Sequence, residues 1–396
     1  MKMILPKNVS YIISKLEQAG FEAYAVGGCV RDTLLDRKPQ DWDITTSAKP
    51  LQIKELFKKT IDTGIQHGTV TVMLDHVGFE VTTYRIDGEY EDGRHPKSVE
   101  FSDRLVDDLC RRDFTINAMA YNDNRGLVDE FGGIKDLKDG IIRCVGDAGQ
   151  RFDEDALRML RAVRFAGQLG FAIEEKTREA IVERADHLKN ISAERIRVEL
   201  TKLLVSKEAG RIRDAYKTGM TKYFLPELDA AMQTEQKNPH HIYTVGEHSI
   251  CGIELMNCFF GITSDEKIYD KIPENVLETA KKLAAKMDKK QQTVLCMTML
   301  LHDIAKPAVM TVDEKGIGHF IGHPAQSEKM AKKIMRRLTF DNDSISKACR
   351  LIRFHDYRME DKSRAFRRAV SKIGADIMDM LFLVEYADVL AQSDMQ

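Results

Sequence analysis

The amino-acid sequence predicts an α/β N-terminal domain, an all-α neck and an all-α C-terminal domain. Three observations carry this. At 396 residues the chain exceeds what one hydrophobic core holds, since chains of this length split into units of ~100–200 residues. Its first part mixes strand-like runs with glycine turns, whereas from Arg151 onward apolar residues recur at helical spacing with almost no β-branched alternation. A polar, proline-bearing stretch near residues 226–241 then interrupts the helical pattern. The expected domains are residues 1–145, 146–225 and 226–396.

In chain order, residues 8–19 place their apolar side chains on one helical face. FEAYAVGG reads as a strand entering a glycine turn, and VRDTLLD as the helix behind it. GTVTVMLD, FEVTTYRI and GLVDEF follow as strands. RFDEDALRMLRAVRFAGQLGF, EKTREAIVERADHL and SAERIRVELTKLLVS then read as long amphipathic helices, and the rest as further helices broken by GIGHF, a turn or short hairpin.

Composition narrows the function classes. With 43% hydrophobic and 31% charged residues the chain is neither fibrous nor largely disordered. A net charge of -2 gives no global basic field, so any RNA contact must come from a local patch. Seven cysteines without a Cys-x-x-Cys pair suggest neither a disulfide framework nor a zinc ribbon. The opening MKMILPKNVSYIISKLEQAG lacks a secretory apolar core, and no later apolar run reaches the ~18 residues of a membrane span. A soluble cytoplasmic protein without membrane partners is expected, its oligomeric state left open.

Gly27 and Gly28 end the first strand, and Arg31 follows one helical turn later. Such a turn lets the backbone approach a phosphate closely with a cation alongside. QDWDI then presents Asp41 and Asp43 at i and i+2, which on a strand sets both carboxylates on one face. Two adjacent carboxylates repel unless a divalent cation neutralises them, and Mg²⁺ takes one or two carboxylates plus substrate phosphate oxygens. Such a pair can hold two ions that activate an attacking hydroxyl and stabilise a leaving pyrophosphate. An isolated Asp-x-Asp is more often a solvated turn; the glycine turn upstream favours the metal site.

GGCVRD followed by DWDI resembles the head of the class II tRNA nucleotidyltransferases and bacterial poly(A) polymerases, within the polymerase β-like superfamily. TGIQHGTVTV, FEVTTYRIDGEYEDGRHPKSVEF, DDLCRRDFTINAMAY and RFDEDALRMLRAVRFA are similar to that family in order and spacing, across residues 21–171. The resemblance implies a nucleotidyltransferase fold for residues 1–145. It also implies that Arg112 and Asp113, beside Asn117 in RRDFTINAMA, contact the phosphate and ribose of an incoming nucleotide. Guanidinium donors suit phosphate oxygens, and a carboxylate suits ribose hydroxyls. Glu80 reads equally as a third carboxylate near the metals or as a structural strand residue.

In EDALRMLR, Asp155 and Arg158 stand at i and i+3 on an expected helix, where side chains are neighbours. A carboxylate beside a guanidinium matches the amino donor and ring-nitrogen acceptor shared by cytosine and adenine, whereas guanine and uracil present the reverse. An unsatisfied partner costs roughly 1–3 kcal/mol, enough for this pair to choose C and A without a nucleic-acid template. The family resemblance assigns the pair that role, gives Arg161 and Arg164 further nucleotide contacts, and makes Arg195 and Glu199 struts. A plain amphipathic helix with a Glu154–Arg158 ion pair could coexist.

Where bacterial poly(A) polymerases carry an arginine-rich run after the second aspartate, this chain reads TGIQHGTVTV, similar to the CCA-adding branch. EYEDGRHPKS, between Arg85 and Phe101, is a polar loop able to move during a switch from C to A addition, and CC-only members lack it.

In the C-terminal part His248, His302, Asp303, His323, His355 and Asp388 are each flanked by apolar helical residues. Their order resembles the HD metal-dependent phosphohydrolase domain. That resemblance implies one metal on His248, His302, Asp303 and Asp388 and a second on His323 and His355. Imidazole with carboxylate suits a transition metal such as Mn²⁺, Ni²⁺ or Fe²⁺.

The whole implies template-independent addition of CCA, from CTP and ATP, to the 3′ end of tRNA, with a phosphohydrolase behind it. A poly(A) polymerase is the first alternative, opposed by the missing arginine-rich run. A phosphohydrolase whose head only binds RNA is the second, opposed by Asp41 and Asp43.

Overall fold

The computed structural model describes residues 2–88, 99–237, 242–263, 265–270, 272–357 and 363–392. The chain forms two compact units. The first comprises residues 1–158 and 171–190, the second residues 159–170 and 191–396. The polar segment EYEDGRHPKS lies outside the described residues, as does part of the proline-bearing stretch near residue 240.

In the first unit, helix α1 (Lys7–Gln18) precedes strand β1 (Ala23–Val26) and helix α2 (Gly28–Leu34). Strands β2 (Asp43–Thr46), β3 (Thr60–Gly64), β4 (Thr69–Leu74) and β5 (Val77–Thr83) follow, then helix α3 (Leu105–Cys110) and strands β6 (Ala120–Asn122) and β7 (Gly126–Val128). They make a seven-stranded mixed sheet in the order β3-β4-β5-β2-β1-β6-β7. Only β2 and β5 pair in parallel, with Ile44 opposite Val81; the other neighbours are antiparallel.

Alternation along β1 divides the core between the two sheet faces. Ala23 and Ala25 pack with Val9, Ile12, Ile13 and Leu16 of α1, while Tyr24 and Val26 pack with Leu109 and Ala118. Each fully buried Ile or Leu contributes roughly 1.5–3 kcal/mol. Because Val26 stands opposite Asp43, Asp43 lies on the Tyr24 and Val26 face, at the end of the strand.

The helical C-terminal part agrees with the expected class. Helices α4 (Ala148–Glu154) and α5 (Leu157–Leu169) come first, but a short parallel pairing of Ile141–Ile142 with Ala172–Ile173 returns residues 171–190 to the first unit. The second unit is built from α6 (Ala193–Leu204), α7 (Val245–Phe259), α8 (Lys289–Leu301), α9 (His323–Arg337), α10 (Asn342–Phe354), α11 (Ser363–Ile373) and α12 (Met378–Leu390). GIGHF forms one side of a small hairpin, Thr311–Val312 with Gly318–His319. None of the described helices is long and apolar enough to cross a membrane.

Candidate functional sites

The first site lies where β1 ends. Gly27 has φ 82° and ψ −132°, a conformation that side-chain-bearing residues rarely adopt, and a Cβ there would meet Arg112 Nη1 at 3.0 Å. The glycine thus leaves room for a guanidinium against the backbone. Asp43 opens β2, but Asp41 precedes the strand, so the expected pair on one strand face becomes one strand residue and one residue of the approach. One step before the Ile44–Val81 pair, Asp43 comes level with Glu80 on β5.

Loss of solvation raises the pKa of Asp43, although its side chain borders open space; Arg112 draws it back and Asp41 pushes it up again. Glu80 is raised by loss of solvation and then by Asp43 and Asp41. Three carboxylates therefore stand within electrostatic range of one another, with the charge of Arg112 opposing their repulsion at Asp43.

Arg112 is held from behind. Its Nη2 lies 3.1 Å from Asp108, which is fully buried on α3, bridged also by Arg111 at 2.5 Å, and accepts from Thr45 Oγ1 at 3.1 Å. Asp113 accepts from the backbone amide of Phe114 and from Asn117 Nδ2 at 3.0 Å. Arg31, expected beside a phosphate, is 8% exposed and donates to Asn117 at 2.6 Å and to Asp32 at 3.0 Å. It braces Asn117 beneath the turn that Gly28 starts.

Asp155 departs from the expected single helix. With φ −148° and ψ 100° it breaks the run between α4 and α5, and its carboxylate accepts from the Leu157 amide at 3.1 Å, satisfying one of the orphan donors that begin α5. Arg158, on α5, donates to Glu154 at 2.7 Å and to the Arg111 carbonyl at 3.0 Å. The i, i+4 ion pair is present. In the second unit, Glu199 of α6 lies 2.5 Å from Arg164 and 3.7 Å from Arg161, and the Arg164 guanidinium stacks 3.8 Å from the centre of the Phe165 ring.

The histidine and aspartate groups gather inside the second unit. His302 and His355 each cap a helix C-terminus, where carbonyls lack intrahelical partners. Their Nδ1 atoms donate to Met299 O and Ile352 O, each at 2.8 Å. His323 Nδ1 donates likewise to Phe320 O at 2.9 Å, and His248 Nδ1 to Ala391 O at 3.2 Å. A carbonyl can only accept, so each bond puts a proton on Nδ1 and turns Nε2 inward.

Two sets result, each with its ligand atoms within 4.8 Å of one another: His248, His302, Asp303 and Asp388, and Asp303, His323 and His355. Asp303 serves both. Its Oδ2 lies 3.3 Å from His302 Nε2, and its Oδ1 lies 3.2 Å from His323 Nε2. His248 Nε2 and His302 Nε2 face each other at 3.2 Å, as do His323 and His355 at 3.3 Å. Paired ring lone pairs at that distance need a cation, proton or metal, between them. Burial alone would lower the His302 pKa, yet Asp303 and Asp388 push it up to about 10.

A cavity of about 620 Å³ opens onto Asp303, His323, His355 and Asp388. It also exposes Lys306, a group the sequence reading missed. Lys306 is buried, 2.6 Å from Asp303 Oδ2, and donates to Gln236 at 2.9 Å. Its position three residues beyond Asp303 was the available signal.

Three family descriptions match in chain order: "Poly A polymerase head domain" over residues 23–143, "Probable RNA and SrmB- binding site of polymerase A" over 170–232, and "HD domain" over 273–391. A CCA-adding enzyme of Lactobacillus delbrueckii subsp. bulgaricus is 53% identical over 212 residues, which is 53% of this chain and 54% of that protein. One from Pediococcus pentosaceus is 47% identical over 244 residues, 59% and 62% of the two chains. The chain thus spans little more than half the length of the curated relatives it matches. Among solved structures, the Bacillus stearothermophilus CCA-adding enzyme in complex with CTP matches 93% of this chain and 99% of its own, at 27% identity and a TM-score of 0.54.

Proposed function

We propose that this chain, whose residues 23–143 match the poly(A) polymerase head and whose residues 273–391 match an HD domain, both implying divalent metals, adds CCA to tRNA from CTP and ATP. The observation that carries this reading is the cluster of Asp41, Asp43 and Glu80 beside the Gly27 turn, with Arg112 against it. Asp41 and Asp43 would hold Mg²⁺, which would supply the positive charge that lowers the pKa of the tRNA hydroxyl and offsets the charge of the leaving pyrophosphate.

The chain's own groups bind and orient. Arg112, fixed by Asp108, meets the triphosphate, and Asp113 with Asn117 meets the ribose, while Gly28 leaves the backbone open and Arg31 keeps Asn117 in place. Asp155 and Arg158 select C and A, and Arg161 and Arg164, held by Glu199, extend the nucleotide site. Head, neck and C-terminal domain correspond to residues 1–145, 146–225 and 226–396 in this scheme. A tRNA substrate and seven cysteines that form no disulfide fit a reducing cytoplasm.

The second activity is phosphohydrolysis. Its supporting observation is the convergence of inward Nε2 atoms and carboxylates around Asp303, a donor set that fits Mn²⁺, Ni²⁺ or Fe²⁺. Bound there, such ions would supply Lewis acidity toward water and a phosphate ester. Lys306 offers an ammonium to the same phosphate and orients the shared carboxylate.

The test supplies tRNA lacking its last three nucleotides with each labelled nucleotide in turn, followed by sequencing of the products. Ordered addition of C, C and A is expected. Asp43→Ala, with its fold intact by circular dichroism, should lose this activity, and near-normal extension by that variant at matched Mg²⁺ would remove the two-metal assignment.

A further inference from the structure

Helix α11 carries Arg364, Arg367, Arg368 and Lys372, all exposed, and no acidic residue in its 11 positions. Arg364, Arg368 and Lys372 follow one another at i+4 on one face, beside the buried Ala369 and Ile373. Like charges at that spacing destabilise a helix, so the arrangement favours an anionic partner.

The basic face reaches the metal cavity through an aromatic step. Lys372 Nζ lies 4.8 Å from the centre of the Tyr357 ring and 5.6 Å from that of Phe354. The two rings meet edge to face at 6.1 Å. They line a second cavity of about 350 Å³ with Arg353 and Lys372, and Gly322, Pro324 and Asp356 border both this cavity and the larger one. Tyr357 is two residues beyond His355. Arg353 has a loose, half-exposed ion pair with Glu328 at 3.9 Å.

Resting on the phosphohydrolase reading above, we propose that this strip binds the end of a single-stranded polynucleotide and delivers its terminal phosphate ester to the histidine and aspartate centre. The last base stacks on Tyr357 and Phe354 once the flexible Lys372 stem swings toward a phosphate, and the preceding phosphates follow α11. Base stacking on aromatic rings tolerates any sequence, because every base has a π-face. Helix α11 extends roughly 16 Å, several cations long, which exceeds what a mononucleotide can occupy. Hydrolysis adds water across the ester, releasing the phosphate, or opening a cyclic ester, with no change of oxidation state.

The experiment uses the full chain loaded with Mn²⁺ and three probes: a labelled RNA octamer ending in a 3′-phosphate, 4-nitrophenyl phosphate, and anionic phosphatidylserine vesicles. Replacing Arg353, Tyr357 and Lys372 together by alanine should lower kcat/KM for the octamer at least about thirtyfold, mainly through KM. Hydrolysis of 4-nitrophenyl phosphate should change less than twofold, and the octamer KM of the wild type should rise with salt. Equal losses on both substrates, no loss on the octamer, or vesicle binding with the octamer ignored would overturn the proposal. If the wild type cleaves neither ester, the phosphohydrolase reading falls. Photocrosslinking of a 4-thiouridine-ended octamer then decides the strip separately: crosslinks to residues 353–357 or to α11 keep it, and their absence removes it.

Discussion

Asp155 shows how one residue can hold a local and a distant task at once. Its carboxylate caps α5 through the Leu157 amide, and in the proposed site its second oxygen accepts from the amino group of C or A. Asp155→Ala should therefore weaken the cap by about 1 kcal/mol and shrink the preference for C and A over G and U about ten- to a hundredfold. Arg158→Ala should erode the same preference by removing the donor. Single-turnover incorporation of all four nucleotides separates these effects: a uniform loss of rate with unchanged ratios would leave only the structural task. The residue types were legible in the sequence, since EDALRMLR names both groups. The helix break between them was not, because nothing in the helical apolar spacing marks an extended Asp155; the residue whose backbone ends α4 begins α5 with its carboxylate.

At the scale of elements, α3 owes its place to one buried charge. Asp108 anchors both Arg111 and Arg112, and while burial would raise its pKa, the two guanidinium groups lower it below the usual carboxylate value. A folded-state pKa lower than the unfolded one adds stability that is present above pH ~4 and lost as pH falls through the folded value. Asp108→Asn should thus cost roughly 3 kcal/mol at pH 7. In urea melts the gap from wild type should narrow as pH drops below ~4. A gap that stays constant with pH would assign the loss to packing alone. Elements with strong apolar alternation, such as β4 and β5, could be read from sequence. Strand β3, mostly exposed, and the three-residue β6 could not, since neither is long and amphipathic enough to show a period. For the histidines, sequence supplied order and flanking residues, while the helix C-termini that aim His302 and His355 depend on where α8 and α10 stop.

At the scale of the whole molecule, the two proposed chemistries reside in separate units. His302→Ala should abolish metal-dependent phosphohydrolysis and leave tRNA extension within about twofold, and Asp43→Ala should do the reverse. Loss of both activities from either change would tie the centres together. Chelation gives a second readout: a metal present at 100 times its dissociation constant stabilises by about 2.7 kcal/mol, so a chelator selective for transition metals, with Mg²⁺ kept in excess, should lower the melting of the second unit and spare the first. The fold class was legible because the change from strand to helix patterning is abrupt. The partition into units was not, because residues 171–190 return to the first unit through contacts distant in sequence: the packing of Glu175–Arg184 on Ala148–Glu154, the Arg143–Glu174 ion pair, and the two-residue pairing of Ile141–Ile142 with Ala172–Ile173, too short to leave a sequence pattern. That small pairing has a consequence for synthesis on the ribosome. Residues 159–170 are translated before 171–190, so the first unit receives its last piece only after part of the second has been made. At ~5–20 residues per second the growing chain waits roughly 2–6 s for those 32 residues, with the edge that Ile142 offers still unpaired. Vectorial folding of the head thus cannot finish at any boundary before residue 190, and a fragment stopped at residue 158 would be released from the ribosome with that seam open.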